Sequence, residues 1–152
     1  MTFVDHINIV VKDLDANVKF YRDVLGFRIT MEAVLEGEWI DAVVGLKGVK
    51  ANCVYLQPTD GPRIELLCYE KPGGSSVENQ HLANTQGLRH IAFRVDDIEA
   101  EYARLNALGV EFIGPPVTVP LVSVKNLQGR KRLCYFYAPE GVLLEICDYE
   151  PH

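Results

Sequence analysis

Four polar residues interrupt otherwise apolar runs: His6, Glu65, His90 and Glu145. Glu145 is flanked by Val142, Leu143, Leu144 and Ile146, and Glu65 by Ile64, Leu66 and Leu67. A carboxylate buried alone is costly unless it is paired or bound to a metal. Two imidazoles and two carboxylates are a donor set for a borderline divalent ion: Ni, Co, Zn, Mn or Fe. They suit a structural zinc site less well, because such sites favour Cys and His in a closed tetrahedron. An ion so held can stabilise negative charge on a substrate oxygen, and a carboxylate beside it can move a proton. Taken singly, each residue also has an ordinary role. His6 could be a satisfied core or N-terminal histidine, and Glu65 could pair with Arg63 or Arg89.

A repeat ties the four together. Residues 5–16, DHINIVVKDLDA, align with residues 89–100, RHIAFRVDDIEA, at an offset of 84. His6 meets His90, Asp13 meets Asp97, and Ala16 meets Ala100. Leu25-Gly26-Phe27 resembles Leu108-Gly109-Val110, and Ile64-Glu65-Leu66 lies under Leu144-Glu145-Ile146 at an offset of 80. In each half the histidine comes early and the glutamate late. Pseudo-twofold symmetry between the halves would bring two His and two Glu to one axis.

The elements that must position these residues follow from pattern. Phe3–Val11 alternates and is rich in Ile and Val, so it reads as a strand. Asp13 is placed to cap a helix over about residues 15–25, which Gly26 would end. Its apolar face holds Val18, Phe20, Tyr21, Val24 and Leu25. Strands are expected near 27–35, 50–57 and 62–69. The second half repeats the order: a strand over 88–95, a helix over about 98–108 capped by Asp97 and ended by Gly109, then strands near 110–113, 131–138 and 142–149. Each half is therefore β-α-β-β-β, with a first module over 1–70, a connector over 71–87 and a second module over 88–152, forming one compact domain. The connector contains Pro72, Gly73, Gly74, Ser75 and Ser76 and could include a short helical turn around 77–84. Residues 114–130, with Pro115, Pro116, Pro120 and Gly129, read as an irregular loop at a functional rim.

Composition sets the outer bounds. The chain has 152 residues, 48% of them hydrophobic, which suffices for a core. Its net charge of −6 disfavours nucleic acid as a partner. No apolar run approaches the roughly 18 residues of a membrane span. The N-terminus lacks the basic and apolar regions of a secretory signal, so the expected compartment is the cytoplasm. Cys53, Cys68, Cys134 and Cys147 form no C-x-x-C pair and each lies in an apolar run, as buried reduced thiols do.

The segments DHINIVVKDLDANVKFYRDVLGF (5–27), RIELL (63–67), GLRHIAFRVDDIEA (87–100) and YAPEGVLLEI (137–146) resemble the vicinal oxygen chelate superfamily. That superfamily includes glyoxalase I, methylmalonyl-CoA epimerase, extradiol dioxygenases and antibiotic-resistance proteins. The resemblance covers nearly the whole chain. It implies an α+β fold of two paired βαβββ modules with pseudo-twofold symmetry, whose sheets curl round a metal-holding cup. The family's four ligand positions fall on His6, Glu65, His90 and Glu145, and all four hold competent side chains.

The activity implied is that of a metal-dependent lyase or isomerase acting through an enediolate. Glu145 is the first candidate for the base, doubling as a labile ligand, and Glu65 the second. The substrate would be a small molecule with vicinal oxygens or an acyl thioester, and the assembly a homodimer. A Glu at position 65 follows the glyoxalase I pattern, since epimerases usually carry Gln there. The 24 residues between Glu65 and His90, and the segment Gln80–Val95, read instead like epimerases. Tyr137-Ala138-Pro139-Glu140-Gly141 resembles the Asp-Pro-x-Gly turn of glyoxalases and dioxygenases. Alternatives are an Fe(II) extradiol-type dioxygenase, whose open coordination positions Glu65 would reduce, and a non-catalytic resistance protein, which the intact set of four disfavours. Lys125, Arg130, Lys131 and Arg132 could contact an anionic substrate group. Trp39, with Ile40, Val43 and Val44, could line a pocket mouth or pack against a partner chain. His81 reads as surface.

Overall fold

The computed structural model describes residues 1–120 and 129–150. The chain divides into two compact units, Met1–Ser76 and Val77–His152. The glycine- and proline-rich connector is thus shared between them.

In the first unit, β1 (His6–Val10) is followed by α1 (Leu14–Lys19), which runs on as a π-helical turn over Phe20–Val24. Then come β2 (Arg28–Glu36), α2 (Glu38–Val44), β3 (Lys50–Gln57) and β4 (Arg63–Lys71). The Asp13 carboxylate caps α1 by accepting from the Ala16 N–H at 2.9 Å. Gly26 ends the helical segment at φ +76°, a left-handed backbone that glycine adopts without steric cost. The sheet order is β1-β4-β3-β2, with β1 parallel to β4 and the other pairs antiparallel. A parallel pair needs a long crossover, and the helix and β2–β3 supply it.

Strand alternation decides what each face carries. Ile64 and Leu66 are fully buried, and α1 packs on β4. Glu65 points from the opposite face, opposite Tyr55 on β3 and Asn8 on β1. The helix α2 lies in a stretch read from the sequence only as apolar. Gly37 and Gly45 bracket it, and Ile40 and Val44, four residues apart, pack with Val49, Ala51, Leu35 and Tyr69. The Asp41 carboxylate then accepts the N–H groups of Gly48 and Val49 at 2.7 and 2.8 Å, fixing the turn into β3.

The second unit repeats the scheme. It contains β5 (His90–Arg94), α3 (Ile98–Ala107), β6 (Val117–Thr118), β7 (Arg130–Tyr137), a short 3-10 turn over Pro139–Gly141 and β8 (Leu143–Glu150). The sheet order β5-β8-β7-β6 is that of the first unit, with β5 parallel to β8. Asp97 caps α3, accepting from Glu99 and Ala100 at 3.0 and 3.1 Å. Leu143 to Asp148 are all buried, so β8 is covered on both faces.

Two expectations for this unit need correction. The strand near 110–113 reduces to a single bridge, Phe112 to Phe136. The strand that pairs with β7 is instead β6, inside the segment expected to be irregular. Pro115 and Pro116 lack an N–H for a ladder, so pairing resumes only at the β-branched Val117 and Thr118. The expected helical turn around 77–84 is a non-helical turn held by Leu82 N–H and Thr85 Oγ1, both donating to the Asn79 carbonyl. Among the described residues, no helix is long and apolar enough to cross a membrane.

Candidate functional site

On the face of the first sheet away from α1, His6 Nε2 lies 3.3 Å from Glu65 Oε2. The pair is the product of register: β1 and β4 run parallel, with His6 beside Arg63 and Asn8 beside Glu65. His6 Nδ1 sits 2.8 Å from the Asp5 carboxylate, which also receives Arg63. With its proton on Nδ1, the imidazole presents the Nε2 lone pair towards Glu65. The hydrogen bonds from His6 and then Arg63, with the Arg63 charge beside them, hold the Asp5 carboxyl below the usual carboxylate range.

Glu65 is held by neutral donors. Tyr55 Oη donates to Oε1 at 2.8 Å, Asn8 Nδ2 donates to Oε2 at 3.0 Å, and the Cys53 thiol donates to Oε1 at 3.5 Å. The Tyr55 ring also meets His6 edge-on, with centroids 5.3 Å apart. Burial and then the Glu65 carboxylate push the Tyr55 phenol and the Cys53 thiol up to about 12.

The second sheet carries the matching arrangement on the face away from α3. His90 Nε2 is 3.3 Å from Glu145 Oε2, and the His90 and Tyr135 rings stack with centroids 4.9 Å apart. Tyr135 is the direct cross-strand partner of Glu145, as Tyr55 is of Glu65. The surroundings of the carboxylate differ, however. The residues beside it are Ala92 in place of Asn8 and Leu133 in place of Cys53, and neither can donate. Glu145 is the more buried, its side chain 4% exposed against 12% for Glu65. Among the described residues, its Oε1 accepts no hydrogen bond. The ammonium of Lys131, 3.4 Å away, faces that oxygen instead.

These donors fit a divalent metal. Two ligands of one first-row ion, each bound at about 2.1 Å, lie roughly 3.0–3.4 Å apart. The 3.3 Å separation in both pairs matches this spacing and exceeds the roughly 2.8 Å of a charge-assisted hydrogen bond. A buried carboxylate oxygen without a donor is also what a cation would satisfy. Each unit brings one His and one Glu together in this way. Among the described residues, no group of three or more His, Cys, Asp or Glu side chains is placed to hold an ion by itself.

The model of the family described as the Glyoxalase/Bleomycin resistance protein/Dioxygenase superfamily matches residues 3–146. The chain belongs to this superfamily. A lactoylglutathione lyase of Schizosaccharomyces pombe is 32% identical over 114 residues, covering 72% of this chain and 38% of that protein. A 2-epi-5-epi-valiolone epimerase of an Actinomyces species is 28% identical over 149 residues, covering 94% of this chain and 77% of the epimerase. The crystal structure of a glyoxalase family protein from Bacillus cereus superposes with a TM-score of 0.79 at 28% identity, covering 98% of this chain and 95% of that one. The two βαβββ units of the α+β fold are the superfamily's architecture.

Other residues singled out from the sequence of this superfamily member take different positions. Three of the four residues in the expected cationic cluster are engaged within the protein. Arg132 makes a two-pronged contact to the buried Asp148, through Nε at 3.0 Å and through a second, short contact. Arg130 donates to Thr118 Oγ1 at 3.0 and 3.2 Å. Lys131 lies against Glu145 and over the Tyr149 ring. Lys125 lies outside the described residues. Trp39 and Val43 are exposed on α2, Tyr21 is buried in the core of the first unit, and His81 is at the surface, beside Gly141.

Tyr55, Tyr135, Asn8 and Asp5 were not singled out from the sequence. The two tyrosines share the offset of 80 that relates Glu65 to Glu145, so the repeat already carried that signal. The repeat puts Ala92 opposite the donor Asn8 and Arg89 opposite the acceptor Asp5, so neither role recurs and only the structure reveals their part.

Proposed function

We propose that the protein is a divalent-metal-dependent lyase or isomerase acting through an enediolate, of the glyoxalase I or methylmalonyl-CoA epimerase kind. His6, Glu65, His90 and Glu145 are its metal ligands. The observation that carries this reading is the recurrence, in both units, of a His Nε2–Glu Oε2 pair separated by 3.3 Å on the helix-free sheet face. Each unit supplies two of these four donors, and the assembly proposed is a homodimer. The ion, one of Ni, Co, Zn, Mn or Fe, supplies electrophilic stabilisation of negative charge on vicinal oxygens or on an acyl thioester.

The residues divide the proton work. Glu145 is almost wholly shielded from water, and among the described residues its Oε1 accepts no hydrogen bond and faces only the Lys131 ammonium, so once that ammonium withdraws the atom can take the proton α to a carbonyl. Glu65 is tied by Tyr55, Asn8 and Cys53, which suits a fixed ligand and a second proton site. The lactoylglutathione lyase and the epimerase among its relatives support the lyase and isomerase branches respectively. An Fe(II) extradiol dioxygenase is less well supported, because Glu65 would fill a position that catechol or O₂ needs. A purely binding protein has no use for the intact set. The same reading has the protein act in the cytoplasm on a small molecule.

The test is metal analysis of purified protein together with solvent deuterium exchange at the α-carbon of a hemithioacetal or an acyl thioester. One ion per set of four ligands and metal-dependent exchange are expected, both lost in Glu145→Gln. Full metal retention by Glu145→Gln and by His90→Ala would refute the ligand assignment. Fe(II)-dependent oxygen uptake with a catechol would replace the lyase reading.

A further inference from the structure

The two glutamates are neutralised in different ways. Glu65 has three neutral donors and no lysine beside it, since Ala51 stands where the offset of 80 puts Lys131 in the second unit. Glu145 has lost two of those donors, to Ala92 and Leu133; it meets the Cys147 thiol and has gained the Lys131 ammonium at 3.4 Å from Oε1. The exchange replaces hydrogen bonds with a full positive charge. The Lys131 stem lies along the sheet, its ammonium 5.5 Å from the centroid of the Tyr149 ring, and its side chain is 23% exposed. It is therefore held at Glu145 but has a route to solvent.

We infer that Lys131 is a built-in counter-cation that occupies Glu145 when no metal is bound and competes with the metal for it. The inference rests on the metal reading above. A buried carboxylate with no hydrogen bond on one oxygen needs a positive neighbour in the metal-free protein, and Lys131 is placed to be that neighbour. A divalent ion on the same carboxylate meets like-charge repulsion from the ammonium, so binding must drive Lys131 outward. The cation beside the first pair, Arg63, is instead engaged by Asp5 and lies over the Tyr55 ring. The metal is thereby held less tightly at the Glu145 end, where the carboxylate must be free to leave, than at the tethered Glu65 end. Lys131 acts through Glu145 and is a positioning residue.

The experiment compares wild type, Lys131→Gln and Lys131→Arg, using Ni(II) or Zn(II) in competition with a chromophoric chelator. Lys131→Gln is expected to bind the ion at least tenfold more tightly, while Lys131→Arg, which keeps the charge, stays near wild type. The metal-free Lys131→Gln protein should melt at a lower temperature than wild type, and saturating metal should raise its Tm by more. In a Glu145→Gln background the same substitution should not restore metal binding. Should Lys131→Gln not fold, Lys131→Met, which keeps the aliphatic stem against Tyr149, reads the same quantity. Unchanged or weaker metal affinity in the neutral variant overturns the inference while leaving the metal reading intact. That includes the case where only KM rises, which would make Lys131 a substrate contact. Failure of wild type and variant alike to bind a divalent ion overturns both.

Discussion

Tyr55 donates a 2.8 Å hydrogen bond to Glu65, its direct cross-strand partner. Tyr135 stands in the same register to Glu145, whose Oε1 accepts no hydrogen bond. Both tyrosine rings lie against the equivalent histidines, Tyr55 edge-on to His6 and Tyr135 tilted over His90, while only the Tyr55 hydroxyl bonds the carboxylate. Tyr55→Phe leaves a mostly buried carboxylate short of one donor and is expected to cost about 1–2 kcal/mol. Tyr135→Phe removes no bond to Glu145 Oε1 and should stay within about 0.5 kcal/mol of wild type. Urea denaturation of the metal-free proteins measures both, and equal losses in the two variants would contradict the asymmetry.

Asp148 gives the acid limb of stability a specific source. Burial alone would raise its pKa, but the two-pronged Arg132 and the Ile98 N–H overcome it and hold the carboxyl below the usual range. A group with a lowered folded pKa stabilises the fold above its unfolded value. That contribution is present above about pH 3.9 and is lost as pH falls further, through the folded pKa. Asp148→Asn should cost about 3 kcal/mol at neutral pH, because it leaves Arg132 with its charge mostly buried and also weakens the start of α3. Its stability should also fall less steeply than that of wild type below about pH 4. Denaturation midpoints across pH 2.5–7 test both statements.

Much of this fold is legible in the repeat, for physical reasons. Asp13 and Asp97 cap helices because a short carboxylate satisfies otherwise unpaired N–H groups wherever the chain leaves a strand for a helix. Glu65 and Glu145 stand out because nothing apolar explains a carboxylate in such a run. Short elements escaped because their signals are local and weak. The helix α2 has only two core-facing residues, Ile40 and Val44, and β6 has two residues in all. The cationic cluster misled for a different reason: Arg132 is spoken for by Asp148, sixteen residues on in sequence and adjacent only through the β7–β8 ladder. Cross-strand pairing of charges is set by register, which residue types alone do not reveal.

The four thiols should differ in reactivity. Cys53 and Cys134 are buried, and burial, with a nearby carboxylate, pushes both thiols up to about 12. Cys147 is buried and raised for the same reasons. Cys68 is only partly buried. A thiolate is the reactive form, so at pH 8 a disulfide reagent should modify Cys68 first and the other three only as the protein unfolds. Time-resolved thiol titration, native and in denaturant, distinguishes one fast group from four equivalent ones.

Asp5 is exposed, yet it is placed to favour a proton on Nδ1 of His6. Its carboxylate lies 2.8 Å from Nδ1, and Arg63 holds it in place from the other side. Asp5→Asn keeps the size but gives up the charge that favours a proton on Nδ1 and a free Nε2 lone pair. Replacing the outer partner of a metal-bound imidazole typically weakens binding by about 10–100-fold. A tenfold or greater loss of divalent-metal affinity is therefore expected from Asp5→Asn, with little change in the Tm of the metal-free protein. Arg89 occupies the equivalent place before His90, and one of its guanidinium nitrogens donates to the Gln80 carbonyl at 3.2 Å. Arg89→Gln should therefore leave metal affinity near wild type. If chelator competition finds the two substitutions alike, the orientation of His6 by Asp5 has no bearing on the ion. If only Asp5→Asn weakens binding, the first unit supplies its histidine in a preset tautomer, while the second leaves His90 to the ring of Tyr135.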